Sequence, residues 1–481
     1  MSSNMGTVFI FFNLYTSWLL LCSSQLCLAG DTLNTGQKIL SNEILTNLVS
    51  AGKVFELGFF TPGSTGGSQR YLGIWYHMQE GSQQPQKQTV VWVANRDSPV
   101  AVGSIGVFQI AEDGSLEVVD TLANEYWSSS KKHFLSLTPK NRTVKLMDSG
   151  NLVLYDDENM VVKLWESFEN PTDTFLPGMK MDRKLTLTSW KAVDNPGRGN
   201  FSFKMETEDD RFIISNGEQI HWESEEYGPL NFEPKFDQVD DISSEVYHLL
   251  TNLSSFIPNN TRLLLDKEGV LQWVDNLLEG ELSVSWKQPK TDCLKYNFCG
   301  NFSSCNDNDK VCKCLPGFDE DYSQEGDSIQ PNKLNCTRRK PATCNRNDMA
   351  FLNLTMIKTR RPDKKLSLEH EENCTSLCLD MCPHPKCLAY SYAPLPTDHP
   401  RSVVPLNCWI WTHSLTTLKE EYTDWDDDRR LIVIVDKSDI SMHMMIKFDI
   451  FLLFFYNKIK DKFIILKIPF IHLCRTNSKN L

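Results

Sequence analysis

From Asp31 to Gln288 the chain repeats one pattern, short apolar runs broken by clusters of Gly, Pro, Asn and Asp. The runs include VFELGFF (54–60), YLGIWY (71–76), TVVWVA (89–94), SLEVVD (115–120) and NLVLYD (151–156). Each is six or seven residues long, rich in β-branched and aromatic side chains, and flanked by turn formers. That combination predicts strands. No long amphipathic helix competes, so the expected class here is all-β, as a sandwich, barrel or prism. The stretch Gly63–Gly67 lacks the Lys-Ser/Thr of a phosphate loop and reads as a hairpin tip. The acidic runs Glu206–Asp210 and Glu223–Glu226 read as solvated loops, with a contact surface for a basic peptide as the alternative. Trp92, Trp127, Trp165 and Trp190 read as core anchors rather than sugar-stacking platforms.

Beyond this body the pattern changes. Of fifteen cysteines, twelve fall between Cys293 and Cys408, and none lies between Asp31 and Asp292. A cysteine-free body is therefore followed by a disulfide-dense stalk. Within the stalk, Glu369 to Cys382 reads as a helix with a cysteine every fourth residue, along one slowly drifting face. KCLAYSY, LNCWIW and RRLIVIVD (429–436) read as strands around it.

The compartment follows from three signals. Val8–Cys22 is apolar but too short to span a membrane comfortably, which suits the core of a signal peptide over residues 1–29, cleaved after Ala29. An even dozen clustered cysteines fits an oxidising space. Eight Asn-x-Ser/Thr sequons follow the leader, at Asn141, Asn200, Asn252, Asn259, Asn301, Asn335, Asn353 and Asn373. Together these predict a secreted or cell-surface glycoprotein.

The charge sum, 49 − 62 = −13, argues against a nucleic-acid partner, which needs a basic face. No catalytic constellation is found. Gly-x-Ser-x-Gly is absent, and His370-Glu371 continues as Glu-Asn-Cys, which fails His-Glu-x-x-His. Neither an enzyme nor a cofactor is expected. A zinc site formed by Cys374, Cys378, Cys382 and Cys387 would require a reducing cell, so no metal is expected. In the tail, residues 437–481, MHMMIKFDIFLLFFY and FIILKIPFIHL are short and interrupted by His443, Lys447, Asp449, Lys467 and Pro469. Neither reaches a clean span of about 20 residues, although contact with a membrane surface remains open.

Four stretches resemble the S-locus glycoproteins and the S-domain (G-type lectin) receptor-like kinases of plants: WVANRDSPV (92–100), LMDSGNLVLYD (146–156), LWESFENPTDTFLPGMK (164–180) and LTSWKAVDNPGRGNFSF (187–203). The resemblance runs from about residue 31 to 436. It implies a mainly β chain with a bulb-type lectin β-prism over 31–156 and an S-locus glycoprotein domain, a second lectin-like prism, over 157–288. An EGF-like module over 291–338 and a PAN/apple α+β module over 344–436 would follow. The EGF pattern implies bridges Cys293–Cys305, Cys299–Cys312 and Cys314–Cys336. The PAN pattern implies Cys374–Cys408, Cys378–Cys387 and Cys344–Cys382. The family also implies a peptide or glycan ligand, with recognition of pollen its best-known role. Homodimers or complexes with full-length receptor kinases are implied as well. The His-Arg-Asp and Asp-Phe-Gly motifs of a kinase are absent, so any catalytic domain is expected on a longer product.

Bulb-type mannose lectins carry Gln-x-Asp-x-Asn-x-Val-x-Tyr, with alternate residues on one strand face. Asn151, Val153 and Tyr155 fit the last three positions, but the same parity reaches Ser149 and Met147. Asp148 is one residue out of step unless Gly150 forms a bulge. A second copy keeps Asp113 but has Ala111, Ser115, Glu117 and Val119 elsewhere. The candidate sugar residues are therefore Asp113, Asp148, Asn151, Val153 and Tyr155, in sites that are incomplete.

Overall fold

The structure is a computed structural model. It describes most of residues 30–439, apart from the segments 64–68, 78–87, 130–140, 207–210, 225–260, 277–281, 307–310, 321–333, 340–344, 382–385, 393–406 and 421–429 and a few single residues. The leader, the tail from residue 440 and most of the Gly63–Gly67 stretch lie outside the described residues, as do Asn252, Asn259, Asn335, Cys344 and Cys382. Among the described residues, no helix is long and apolar enough to cross a membrane. The chain divides into two compact units, residues 1–290 and 291–481.

The first unit opens with three short strands, β1 (Thr32–Asn34), β2 (Lys38–Leu40) and β3 (Leu48–Val49). Three meanders follow. They are β4 (Phe55–Phe60), β5 (Tyr71–Tyr76) and β6 (Val90–Val93); β7 (Gly106–Ile110), β8 (Leu116–Asp120) and β9 (Glu125–Ser128); and β10 (Thr143–Leu146), β11 (Leu152–Tyr155) and β12 (Lys163–Glu166). Each opening strand adds to the edge of one meander, giving the sheets β3-β4-β5-β6, β2-β7-β8-β9 and β1-β10-β11-β12. Three four-stranded sheets built to one plan make a β-prism. The last strand of each sheet supplies one tryptophan to its axis. Trp92, Trp127 and Trp165 meet edge to face, with centroids 5.9, 5.9 and 5.7 Å apart. Such pairs contribute about 0.5–1.5 kcal/mol each beyond area burial. β12 lies past residue 156, where the sequence reading ends the lectin domain. Its pairing with β11 and its Trp165 make it part of the first prism.

The repeat extends to small devices. Leu116 N–H donates to Ser129 Oγ and Leu152 N–H to Ser167 Oγ, in each case tying the third strand to the residue after the fourth. In the remaining sheet Asn95 Oδ1, two residues past β6, accepts from Leu72 N–H in the equivalent role. The turns into β8 and β11 also match, with Gly114 and Gly150 at φ +81° and +83°. A Cβ at Gly150 would lie 2.8 Å from Leu176 and 3.0 Å from Phe55, so both its backbone conformation and its packing require glycine.

A second prism-like body continues the unit with β13 (Thr174–Phe175), β14 (Thr186–Ala192), β15 (Asn195–Met205), β16 (Phe212–Asn216), β17 (Gln219–Glu223), β18 (Thr261–Leu265), β19 (Leu271–Asn276) and β20 (Leu282–Gln288). Its described sheets are β14-β15-β16-β17 and β13-β18-β19-β20. Phe212 N–H donates to Ser224 Oγ, repeating the device of the first prism. The acidic runs expected to be solvated loops are anchored at their described ends. Buried Arg211 pairs with Glu206 at 3.0 Å and with Glu223 at 3.2 Å.

Arg96 clasps the two bodies. Its Nε donates to Pro196 O (2.8 Å), Nη1 to Thr188 O (3.0 Å) and Nη2 to Ser189 O (2.8 Å). Its neighbours assist. Asn95 Nδ2 donates to Ser98 O, and Asp97 Oδ1 accepts from Arg198 N–H. Trp190 packs against Phe60, Tyr71, Trp75 and Val93, so this anchor belongs to the contact between the bodies. Beside the clasp, buried Asp173 accepts from the Thr172 and Thr174 hydroxyls. Burial pushes its carboxyl up to about 6, against the opposing pull of Arg96. Arg262, whose guanidinium lies 5.7 Å from the Tyr76 ring centroid, also feels the Asp173 charge.

The second unit contains β21 (Ser303–Asn306), β22 (Val311–Cys314), β23 (Phe318–Glu320), β24 (Cys336–Arg338), β25 (Met349–Leu354), β26 (Met356–Lys358), β27 (Lys364–Leu366), α1 (Glu371–Asp380), β28 (Ala389–Tyr392), β29 (Cys408–Trp411), β30 (Leu418–Glu420) and β31 (Arg430–Asp436). A five-stranded sheet, β25-β31-β28-β29-β27, forms its centre. Between its charged ends, Arg430 and Asp436, β31 is apolar because both of its faces are covered. Leu431, Val433 and Val435 pack with Leu315, Phe318 and Trp411, whereas Ile432 and Ile434 pack with Cys374, Cys378 and Tyr390. The bridges Cys374–Cys408 and Cys378–Cys387 fasten α1 to this sheet region. The bridges Cys293–Cys305, Cys299–Cys312 and Cys314–Cys336 hold the segment before it. The expected EGF-like and PAN segments share a sheet, β22-β21-β30-β26, in which β21 and β30 run parallel.

Two outcomes follow for the first unit. Arg96→Lys replaces a planar fork with a single ammonium and should lower stability by about 2–3 kcal/mol, read as a shift in the urea midpoint. Between pH 3.8 and about 6 the folded protein binds the Asp173 proton and the unfolded chain does not, so this group makes stability fall as pH rises. That downward slope should be missing from Asp173→Asn in urea melts across the same window.

Candidate carbohydrate-binding site

β11 is the third strand of its sheet, flanked by β10 and β12. Asn151 directly precedes it, and Val153 and Tyr155 share its face by alternation. In register, Val153 lies opposite Lys145 on one side and Glu166 on the other, and Tyr155 lies opposite Thr143 and Lys163. Directly opposed residues share a sheet face, so the strand surface expected to cradle a sugar is bordered by four polar side chains.

Those side chains engage the motif and one another. Asn151 Nδ2 donates to Glu166 Oε2 at 2.7 Å, and Asn151 Oδ1 accepts from Ser167 Oγ and Phe168 N–H. Lys163 Nζ pairs with the same Glu166 oxygen at 3.1 Å, and Lys145 pairs with Asp31 at 3.3 Å. Asn151, Val153 and Tyr155 are 7%, 1% and 6% exposed. Asn151 therefore works as a buried clip between the start of β11 and the end of β12.

The two aspartates are drawn elsewhere. Gly150 does adopt positive φ, in a turn closed by Met147 N–H donating to Asn151 O. This leaves Asp148 at the turn, where its Oδ1 accepts from Gly52 N–H at 2.6 Å. Asp113 Oδ1 accepts from Ser115 N–H and Ser115 Oγ within its own turn. Buried Arg142 links the two copies, donating to Asp113 O and pairing with Asp156 at 3.6 Å. The five candidate sugar residues thus do not converge on one point. The neighbour that takes the Asn151 amide, Glu166, lies in β12, a strand that the motif does not include. The regular strand alternation of KLWE was the only sequence signal that could have pointed to it.

In the second unit, the described sequons differ in setting. Asn353 and Asn373 are exposed, as are Asn141 and Asn200 in the first unit. Asn301 is half-buried, and its Oδ1 accepts from Leu415 N–H. Cys374, Cys378 and Cys387, three of the four cysteines considered as zinc ligands, are in disulfides. The sulfurs of Cys299, Cys305 and Cys312 cluster within 4.8 Å, but each is bridged and offers no thiolate.

Comparison with known proteins agrees with this architecture. The D-mannose binding lectin family model matches residues 89–193, and the S-locus glycoprotein domain model matches residues 221–322. Both domains are non-catalytic. A G-type lectin S-receptor-like serine/threonine-protein kinase of Arabidopsis thaliana is 36% identical over 437 residues, 86% of this chain and 48% of the relative. The receptor-like serine/threonine-protein kinase SD1-7 of Arabidopsis thaliana is 32% identical, over 77% of this chain and 43% of the relative. Among solved structures, a monomeric mannose-binding lectin of Gastrodia elata aligns with 29% of this chain and 96% of its own, at 17% identity and TM-score 0.20. The chain therefore belongs to the S-locus glycoprotein and G-type lectin S-receptor-like kinase family, carries its D-mannose binding lectin and S-locus glycoprotein domains, and spans about half the length of the curated relatives it matches.

Proposed function

We propose that the chain is an extracellular recognition module that uses its rigid β-prisms to present a ligand-binding surface for a glycan or a secreted peptide. The favoured form does not bind mannose on the β11 groove. The observation that carries this is the Glu166 carboxylate, which takes the Asn151 amide that a sugar hydroxyl would need. A hydroxyl arriving there would have to replace a charge-assisted hydrogen bond beside a salt bridge. The five described disulfides support an oxidising compartment and hence a secreted or cell-surface location. Signalling would then come from a partner, either a full-length receptor kinase of the same family or a longer product that carries the kinase.

A glycan and peptide array probed with the secreted chain tests this reading. We expect ligand capture without a mannose signal, and the same profile for Asn151→Ala. That variant should nevertheless lose roughly 1–3 kcal/mol of stability, because it leaves Phe168 N–H and Ser167 Oγ without their buried acceptor. Mannose binding that disappears in both Asn151→Ala and Tyr155→Ala would replace this reading with a mannose lectin.

A further inference from the structure

The first unit contains a cavity of about 720 Å³ that none of the β11 groove residues lines. Its lining comes from the ends of β6, β9 and β12, the segment 169–172, and β14 with the start of β15. That size falls inside the range of small-molecule sites, about 300–1,000 Å³. Both prism-like bodies contribute to it, so the Arg96 clasp fixes its shape.

Part of the lining is the tryptophan triad. Trp92 is buried, and its Nε1 donates to Asn170 O. Trp127 and Trp165 are only half-buried, and among the described residues their indole N–H groups meet no acceptor. The axis of the prism is therefore not sealed at this end. Two indoles with accessible donors line a cavity to which Thr186 and Thr188 add hydroxyls.

The charges narrow the choice of ligand. Arg96 is committed to three carbonyls, and Arg198 pairs with Asp97 at 3.2 Å. Glu169 is exposed, lines the cavity and has no ion-pair partner among the described residues. Indole surfaces suit the C–H faces of a pyranose ring, while hydroxyls suit an indole N–H donor and a carboxylate acceptor. A second carboxylate, as in a uronic acid, would be repelled by Glu169.

We propose that this cavity binds a short neutral oligosaccharide, stacked on Trp127 and Trp165 and hydrogen-bonded by Glu169. The proposal rests on the recognition reading above and gives it a ligand class and a place. It also moves the sugar site from the strand grooves to the end of the prism axis.

Calorimetric titration of the secreted full chain with cellotriose, xylotriose and trigalacturonate tests it. At least one neutral trisaccharide should bind, and trigalacturonate should not. Thr186→Trp adds bulk at an exposed lining position and should weaken binding at least about tenfold. Glu169→Gln, at a second exposed position, should weaken it in the same direction and serves if the larger substitution disturbs folding. Asn151→Ala should bind like the wild type. Unchanged affinity in both cavity variants overturns the cavity and leaves the recognition reading standing. A wild-type chain that binds no neutral probe overturns the cavity as well, and peptide capture on the array would then select the peptide form of the recognition reading.

Discussion

The architecture of the first unit depends on one guanidinium. Arg96 leaves the end of β6 and delivers its donors to three carbonyls of β14 and β15. Burying such a charge is unfavourable unless its donors are satisfied. Here the acceptors are backbone atoms whose positions are set by strand pairing, so the geometry cannot drift. The consequence is more than adhesion. Asp97, next in sequence, is held where it meets Arg198, and Asn95 closes the turn that aims Arg96. Asp173 then sits in a field with two arginines nearby, which offsets part of the desolvation of its carboxyl.

The same logic separates the chain's two ways of making a core. The first unit has no disulfide among its described residues and relies on three-fold repetition around aromatic rings. The second unit builds a sheet covered on both faces, with bridged cysteines in the cluster on each. β31 displays this directly, because its odd residues and even residues belong to different clusters. A strand buried on both faces loses its alternation and reads as a plain apolar run.

Much of this was legible in the residues. The strand runs lie where the apolar patterns place them, and the helix with cysteines at every fourth residue is α1. The bridging pattern followed from resemblance, since spacing alone leaves fifteen pairings open for six cysteines. What stayed hidden were interactions between segments distant in sequence. Nothing local marks Glu166 as the partner of Asn151, or Arg211 as the cation that gathers Glu206 and Glu223. The pairing of β12 with β11 was hidden for the same reason. The sequence reading starts the next domain at residue 157, whereas the strand at 163–166 returns to pair with β11. The tryptophans were read as core anchors, and their packing supports that. Their incomplete burial, which opens the cavity, depends on how two bodies meet and has no sequence signature.

The parallel pairing of β21 with β30 joins residues 304–306 to residues 418–420. A ribosome delivers the first of these long before the second. Until residue 420 emerges, the hairpin formed by β21 and β22 lacks the neighbour strand that defines its other edge. In the finished fold the sulfurs of Cys299, Cys305 and Cys312 lie within 4.8 Å of one another, close enough for exchange among wrong partners. The three bridges of the early segment close within residues 293–336, whereas the sheet they brace gains its parallel neighbour only when residues 418–420 arrive, so covalent closure can precede completion of the sheet.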